Sequence, residues 1–314
     1  MKKILLPLIM LSAIDLFAGE NNSFLETFIS NTNDHRKDIH NYIIAMSTNL
    51  DNYVDDSRKL DIEQYSSAYG LIQFSAFQNQ HGSVNFDQKV KLKLKLPKLK
   101  DKFRLVFESD KIDENKDFIE DHESNTNDDF NLALTYDTLK DDIKLKAKVG
   151  LKLGSKLDPF IKLTALKTWE NIFSNVDYTI GEKIEESVID KLESTSYMRF
   201  DKQLNDYNSV HNYTEYYWHS GDSNDSQIIN SMYLSQEINS KNYLVYSFSN
   251  YIDNIDTNLR IKRHSAKINY RHFIKKWLYV DTIPENYYND ENNFKPRYAI
   301  RFNLGMYFNK NSYN

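Results

Sequence analysis

Lysine recurs at every second position in two stretches of this chain, and its chemistry begins there. Val90, Leu92, Leu94 and Leu96 alternate with Lys91, Lys93 and Lys95. Ile143, Leu145, Ala147, Val149, Leu151 and Leu153 alternate with Lys144, Lys146, Lys148, Gly150 and Lys152. Successive strand side chains point to opposite faces, so each stretch has a hydrocarbon face and a cationic one. Arg104 and Lys162 continue the cationic face, and Arg260, Lys262, Arg297 and Arg301 extend it near the end of the chain. Walls of Lys and Arg are how pores favour anions and phosphates. The alternative is neutralisation: Glu108, Glu193, Glu215, Asp177 or acids nearer the N-terminus would pair with the cations and leave a lined, non-conducting interior.

Other candidate chemistry is weaker. The histidines are His35, His40, His81, His122, His211, His219, His264 and His272. None forms H-E-x-x-H, and no serine lies in G-x-S-x-G. The densest group runs from His211 to Ser220, with His211, Tyr213, Glu215, Tyr217 and His219 on one strand face. His219 and Ser220 are adjacent, so their side chains diverge, whereas a hydrolase needs nucleophile and base within hydrogen-bond reach. The outer-membrane phospholipase pattern is not met, and the expectation is no catalytic residue. Residues 110–129 carry nine acids against two lysines. They lack the ligand offsets and the central Gly of a Ca²⁺ loop, so they read as a solvated loop with no metal site. No cofactor is expected.

Composition narrows the class. The chain has 314 residues, no cysteine, a formal charge of −5, and 22 Tyr with 18 Phe. Without cysteine there is no disulfide frame, thiolate site or lipoprotein anchor. The near-balanced charge gives no reason to expect nucleic-acid binding. Mean hydropathy is −0.66, too polar for a bundle of spanning helices. The one long apolar run, 4–14, is shorter than the roughly 20 residues that a helix needs to cross a bilayer. After Met1-Lys2-Lys3 and before Leu16-Phe17-Ala18 it has the layout of a secretory signal peptide, so residues 1–18 are expected to be an address.

Residues 19–64 form a leader. Phe24, Leu25, Phe28, Ile29, Ile39, Ile43, Ile44, Leu50 and Val54 recur at roughly helical spacing, which predicts one or two short amphipathic helices, periplasmic or docked in the lumen. From about 65 to 308 the period is two, and the segmentation predicts fourteen antiparallel strands, or twelve if the two near 173–183 and 189–202 merge or drop out. Many run beyond the five or six residues usual in soluble sheets and suit a tilted bilayer crossing. The fold class is therefore all-β, a transmembrane barrel with a short N-terminal helical segment. Three patterns agree with it. The longest connections are odd-numbered and the even ones short, as in barrels with long external loops. Pro97, Pro159, Pro284 and Pro296 fall at predicted strand ends. Trp169, Trp218 and Trp277 fall where an aromatic girdle would sit. A periplasmic β-sandwich would share the strand alternation.

In the last strand Tyr298, Ile300, Phe302, Leu304, Met306 and Phe308 share one face, followed by a tail at 309–314. This segment resembles the C-terminal targeting strand of Gram-negative outer-membrane β-barrel proteins, although Phe308 is not terminal. Val90–Ser109 and the ending from Tyr270 to Phe308 look like an uncharacterised proteobacterial outer-membrane barrel family. The resemblance implies an outer-membrane location, lipid and lipopolysaccharide as surroundings, and the barrel-assembly machinery as a folding partner. It carries no catalytic residues. The expected function is channel-like passive passage of small, preferentially anionic solutes. A closed or plugged structural barrel serving envelope integrity and a lipid-modifying enzyme are the alternatives.

Overall fold

Alternating apolar and polar residues can satisfy every backbone group at membrane depth only if the sheet closes on itself. It does. The computed structural model describes residues 37–49, 69–80, 82, 84–96, 102–109, 130–220, 226–255 and 258–308. They form one α-helix, α1 (37–49), fourteen strands and a single 3₁₀ turn at Asp290–Asn292. The strands are β1 (Tyr69–Asn79), β2 (Val84–Lys95), β3 (Phe103–Ser109), β4 (Phe130–Lys140), β5 (Ile143–Leu153), β6 (Leu157–Phe173) and β7 (Val176–Ser187). The second half is β8 (Lys191–Asn205), β9 (Asn208–His219), β10 (Ser226–Asn239), β11 (Asn242–Ile255), β12 (Asn258–Lys275), β13 (Leu278–Asn289) and β14 (Arg297–Phe308). Each strand pairs antiparallel with its sequence neighbours, and β14 pairs with β1 from Gly70↔Phe308 to Asn79↔Ala299 to close the barrel. The count is fourteen, with β7 and β8 distinct.

Connection lengths sort by parity. Five of the six even connections (141–142, 174–175, 206–207, 240–241 and 276–277) have two residues. The exception is 96–102, while the longest connection, 110–129, is odd-numbered. Turns in a chain this poor in glycine are made by residues that tolerate positive φ: Asp141 and Asp142 (50° and 63°), and Ser174 and Asn175 (47° and 62°). Two successive left-handed residues match the twist of a right-twisted hairpin. The short-turn end is the periplasmic end by this parity.

Several local expectations need correction. Pro284 lies inside β13, which runs on to Asn289; the β12–β13 register stops at Lys267↔Glu285 and resumes at Tyr270↔Thr282, so the missing N–H falls in a gap of the ladder. Residues 169–172, which precede the strand predicted near 173–183, form no turn but a bulge within β6, where Asn171 takes φ 54°. Trp277 sits buried in a turn, 5% exposed, and is no girdle residue. Trp169 does face outward, stacked on Tyr178 at 5.6 Å, which stacks on Phe200 at 4.7 Å. At the opposite end Phe107 and Phe130 stack at 5.3 Å.

The helix settles on the outside. Ile43 is buried with Leu94 and Phe308, and Met46 of the helix packs against this cluster together with Ile72, Leu92, Leu105 and Met306 of the outer wall. Apolar helix faces need apolar partners, and the lumen offers few. Gly70 makes the approach possible, since a Cβ there would stand 3.2 Å from the Phe308 Cβ and 3.3 Å from the Ile43 Cδ1. Ile39, expected on the apolar face, is exposed, as is Tyr42. The proposed signal peptide, the rest of the leader, the acidic loop and the tail at 309–314 lie outside the described residues.

Candidate lumen-lining site

Register fixes which side chains meet inside. Lys91 stands opposite Glu108, Lys152 opposite Asp158, and Lys162 opposite both Lys148 and Glu185. Buried polar side chains, among them Gln73, Thr135, Ser231, Ser249 and Asn303, share this face around the barrel. Like charges directly opposed, such as Lys148 and Lys162, repel. Two glutamates relieve them. Glu108 accepts from Lys148 at 2.5 Å and lies 3.9 Å from Lys91. Glu185 contacts Lys152 at 2.7 Å and Lys162 at 2.8 Å. Lys148 reaches Glu108 across β4, whose inward residues there, Asn131 and Thr135, are short.

The remaining basic positions fall as follows. Arg104 donates to Asp137 at 2.7 Å, and Lys152 also contacts Asp190 at 2.8 Å. Lys93, Lys144 and Lys146 occupy the same face by register, while the side chain of Lys95 lies outside what is described. Lys262 lies 3.1 Å from Asp253 and Arg260 3.7 Å from Asp290. Arg297 contacts Asn292, and Arg301 lies over the Phe77 ring at 5.3 Å. Of the acids expected to neutralise the wall, Glu108 does so. Glu215 accepts from the Tyr213 hydroxyl at 2.7 Å, and Asp177 accepts from the Asn171 backbone amide. Glu185, Asp190 and Asp137 do that pairing, and only the register could have named them. Arg104 and Lys162 keep 36% and 35% of their side chains exposed, so the wall offers water-accessible cations. Strands β8–β11 line the lumen with Glu193, Asp201, Glu215, Glu237 and Asp253.

The closing seam is built differently. Arg271 grips Asp281 with two hydrogen bonds, at 2.6 and 2.8 Å, and Asn303 donates to the same carboxylate at 3.1 Å. The Tyr279 ring lies 3.9 Å under the guanidinium, and its hydroxyl donates to Gln73 on β1 at 2.9 Å. To reach β1 the ring crosses β14 at Gly305, where a Cβ would fall 2.0 Å from the Tyr279 Cζ. The same device recurs at Gly181, which lies under Tyr197.

Outside, large apolar side chains are exposed on many strands, including Leu132, Val149, Ile161, Leu163, Ile184, Met232, Phe248 and Ile268. A soluble protein rarely exposes so much contiguous hydrocarbon. Here it surrounds a polar, charged lumen in a sheet without edges. The chain is a transmembrane β-barrel.

The outer wall is not wholly apolar. Glu182 faces outward and accepts from Ser194 and Ser196 at 2.6 and 2.5 Å. Asn230 donates to Thr214, and His264 pairs with Asn250. These polar groups satisfy one another sideways, which the rule of apolar-out and polar-in does not anticipate.

No protein-family model matches this sequence, and no curated protein matches it. Solved structures do. The outer membrane channel DcaP of Acinetobacter baumannii is 11% identical, with a TM-score of 0.45 over 76% of this chain and 95% of that one. OmpT, an outer membrane protein of Vibrio cholerae, is 9% identical, with a TM-score of 0.48 over 76% and 96%. The KdgM porin in complex with disordered oligogalacturonate is 8% identical, with a TM-score of 0.36 over 75% and 98%.

Proposed function

We propose that this barrel is a passive pore that favours small anionic solutes. The observation that carries the reading is the basic wall of β2–β6, where Arg104 and Lys162, each paired with an acid, still keep about a third of their side chains open to the lumen. Residues 37–49 occupy the outer wall, so this part of the leader does not obstruct the lumen. A fourteen-stranded barrel lies between the small barrels filled by side chains and the larger porins that hold an aqueous channel. Conduction also needs binding weak enough for release. Partial neutralisation by Glu108 and Glu185 moderates the wall in that sense. The outward face of β14 fits the segment read by the barrel-assembly machinery, before Phe308 is covered by Ile43.

Planar-bilayer recording in a salt gradient tests the reading. The wild-type protein should conduct with a reversal potential on the anion side. Arg104→Glu combined with Lys162→Glu should move it toward cation preference. Silence from folded protein would favour the closed structural barrel, for which the buried Lys91–Glu108–Lys148 group is the supporting feature. An unmoved reversal potential would remove the basic wall as the selective element.

A further inference from the structure

Three lumen side chains near the short-turn end form a relay that passage does not require. The His211 Nδ1 lies 2.6 Å from Asp201 Oδ1, and the His211 Nε2 lies 2.8 Å from the Ser209 hydroxyl. Asp201 and His211 are direct partners across β8 and β9, and Ser209 is two residues from His211 on the same face. The other carboxylate oxygen of Asp201 accepts from the Arg199 Nε at 2.6 Å, which fixes the carboxylate. With Asp201 accepting from Nδ1–H, Nε2 carries the lone pair and can accept the Ser209 proton. A nucleophile bonded to a base that is itself oriented by a third group is the arrangement of activated-serine hydrolysis, recognised by geometry rather than by sequence order.

We propose that Ser209, His211 and Asp201 form an esterase site inside the lumen, acting on small water-soluble carboxylic esters. The site faces the lumen and not lipid, because Ser209 and His211 share the inward face with Tyr213 and Glu215. That placement separates it from a lipid-modifying enzyme. Ser209 Oγ attacks the ester carbonyl while its proton passes to His211 Nε2. The carbon–oxygen bond to the alcohol breaks, and the alcohol leaves with that proton. Water, deprotonated by His211, then cleaves the acyl-serine and releases the carboxylate. Gln203 stands opposite Ser209 in register. One of its two amide hydrogens goes to the Asn205 carbonyl, and the other is the donor for the developing oxyanion. Asp201 is a positioning residue that sets the tautomer of His211.

The test uses the full-length protein folded in detergent, probed with an alkyl fluorophosphonate and with p-nitrophenyl acetate. Mass spectrometry should find the phosphonyl group on Ser209, with none there in Ser209→Ala. His211→Ala should slow labelling about 10²-fold or more, the usual contribution of a general base. Asp201→Asn should lower the rate, with partial rescue by Asp201→Glu, whereas a purely structural Asp201 would leave the rate per folded molecule unchanged. Heat-modifiable migration of each variant confirms the fold. No labelling of folded wild-type protein, or labelling equal in Ser209→Ala, overturns the proposal. Ion conductance should be the same in Ser209→Ala and wild type, so the outcome is independent of the pore reading.

Discussion

The lumen has two charged regions that use the same residue types to opposite ends. Along β2–β7 Glu108 and Glu185 are each shared between two lysines. At the seam of β12, β13, β14 and β1, one arginine meets one aspartate in a two-pronged grip, with Asn303 and Tyr279 completing the cluster. Lysines are flexible point charges that can swing toward water, whereas a guanidinium in a planar fork is held by its geometry. The first region therefore has charge to present to a solute. The second spends its charge on holding the last strands against the first.

If this division is right, breaking the seam has the larger structural effect. Asp281→Ala leaves Arg271, which is 4% exposed, without its counter-ion. Removing one partner of such a buried pair costs about 3–5 kcal/mol. Denaturant unfolding of the detergent-folded barrel should show a midpoint lowered accordingly. Gly305→Ala should follow at about 1–3 kcal/mol, the usual range for overpacking, because the Tyr279 ring must leave its path to Gln73. Glu108→Gln should cost less stability than Asp281→Ala, since the new amide still offers the buried Lys91 and Lys148 an oxygen acceptor. It should also strengthen anion preference in bilayer recordings, an effect that Asp281→Ala should lack. Equal stability losses with no change in selectivity would abolish the distinction between the two regions.

Much of this was legible in the sequence, and the limits have physical causes. A period of two is strict, so Val90–Lys95 and Ile143–Leu153 could be assigned to faces without coordinates. Which acid meets which lysine depends on register between strands, and Lys162 meets Glu185 through a pairing that alternation cannot specify. The Asp201–His211–Ser209 relay was hidden for the same reason. His211 stands out in the sequence beside Tyr213 and Glu215, but Asp201 reaches it only across the β8–β9 hairpin. Gly305 and Gly181 were silent because a glycine under a tyrosine leaves no periodic trace. The helix was visible at Ile43, yet helical spacing says nothing about which surface receives the apolar side.

That last choice gives the prediction with the smallest effect on the barrel. Ile43, 6% exposed, sits against Gly70, Leu94 and Phe308 on the outer wall. Ile43→Asp would set a carboxylate against hydrocarbon, which is unfavourable enough to release the helix. Because both charged regions lie on the other side of the sheet, neither should respond. Conductance, selectivity and the barrel's unfolding midpoint should match wild type, while protease cleavage within 37–49 should accelerate. A rise in current would instead mean that the leader reaches the pore, and the lumen could then no longer be described by its two walls alone. Unchanged current with faster cleavage would assign the helix to the outer wall, where its seat closes over the Phe308 end of the seam without touching the charges inside.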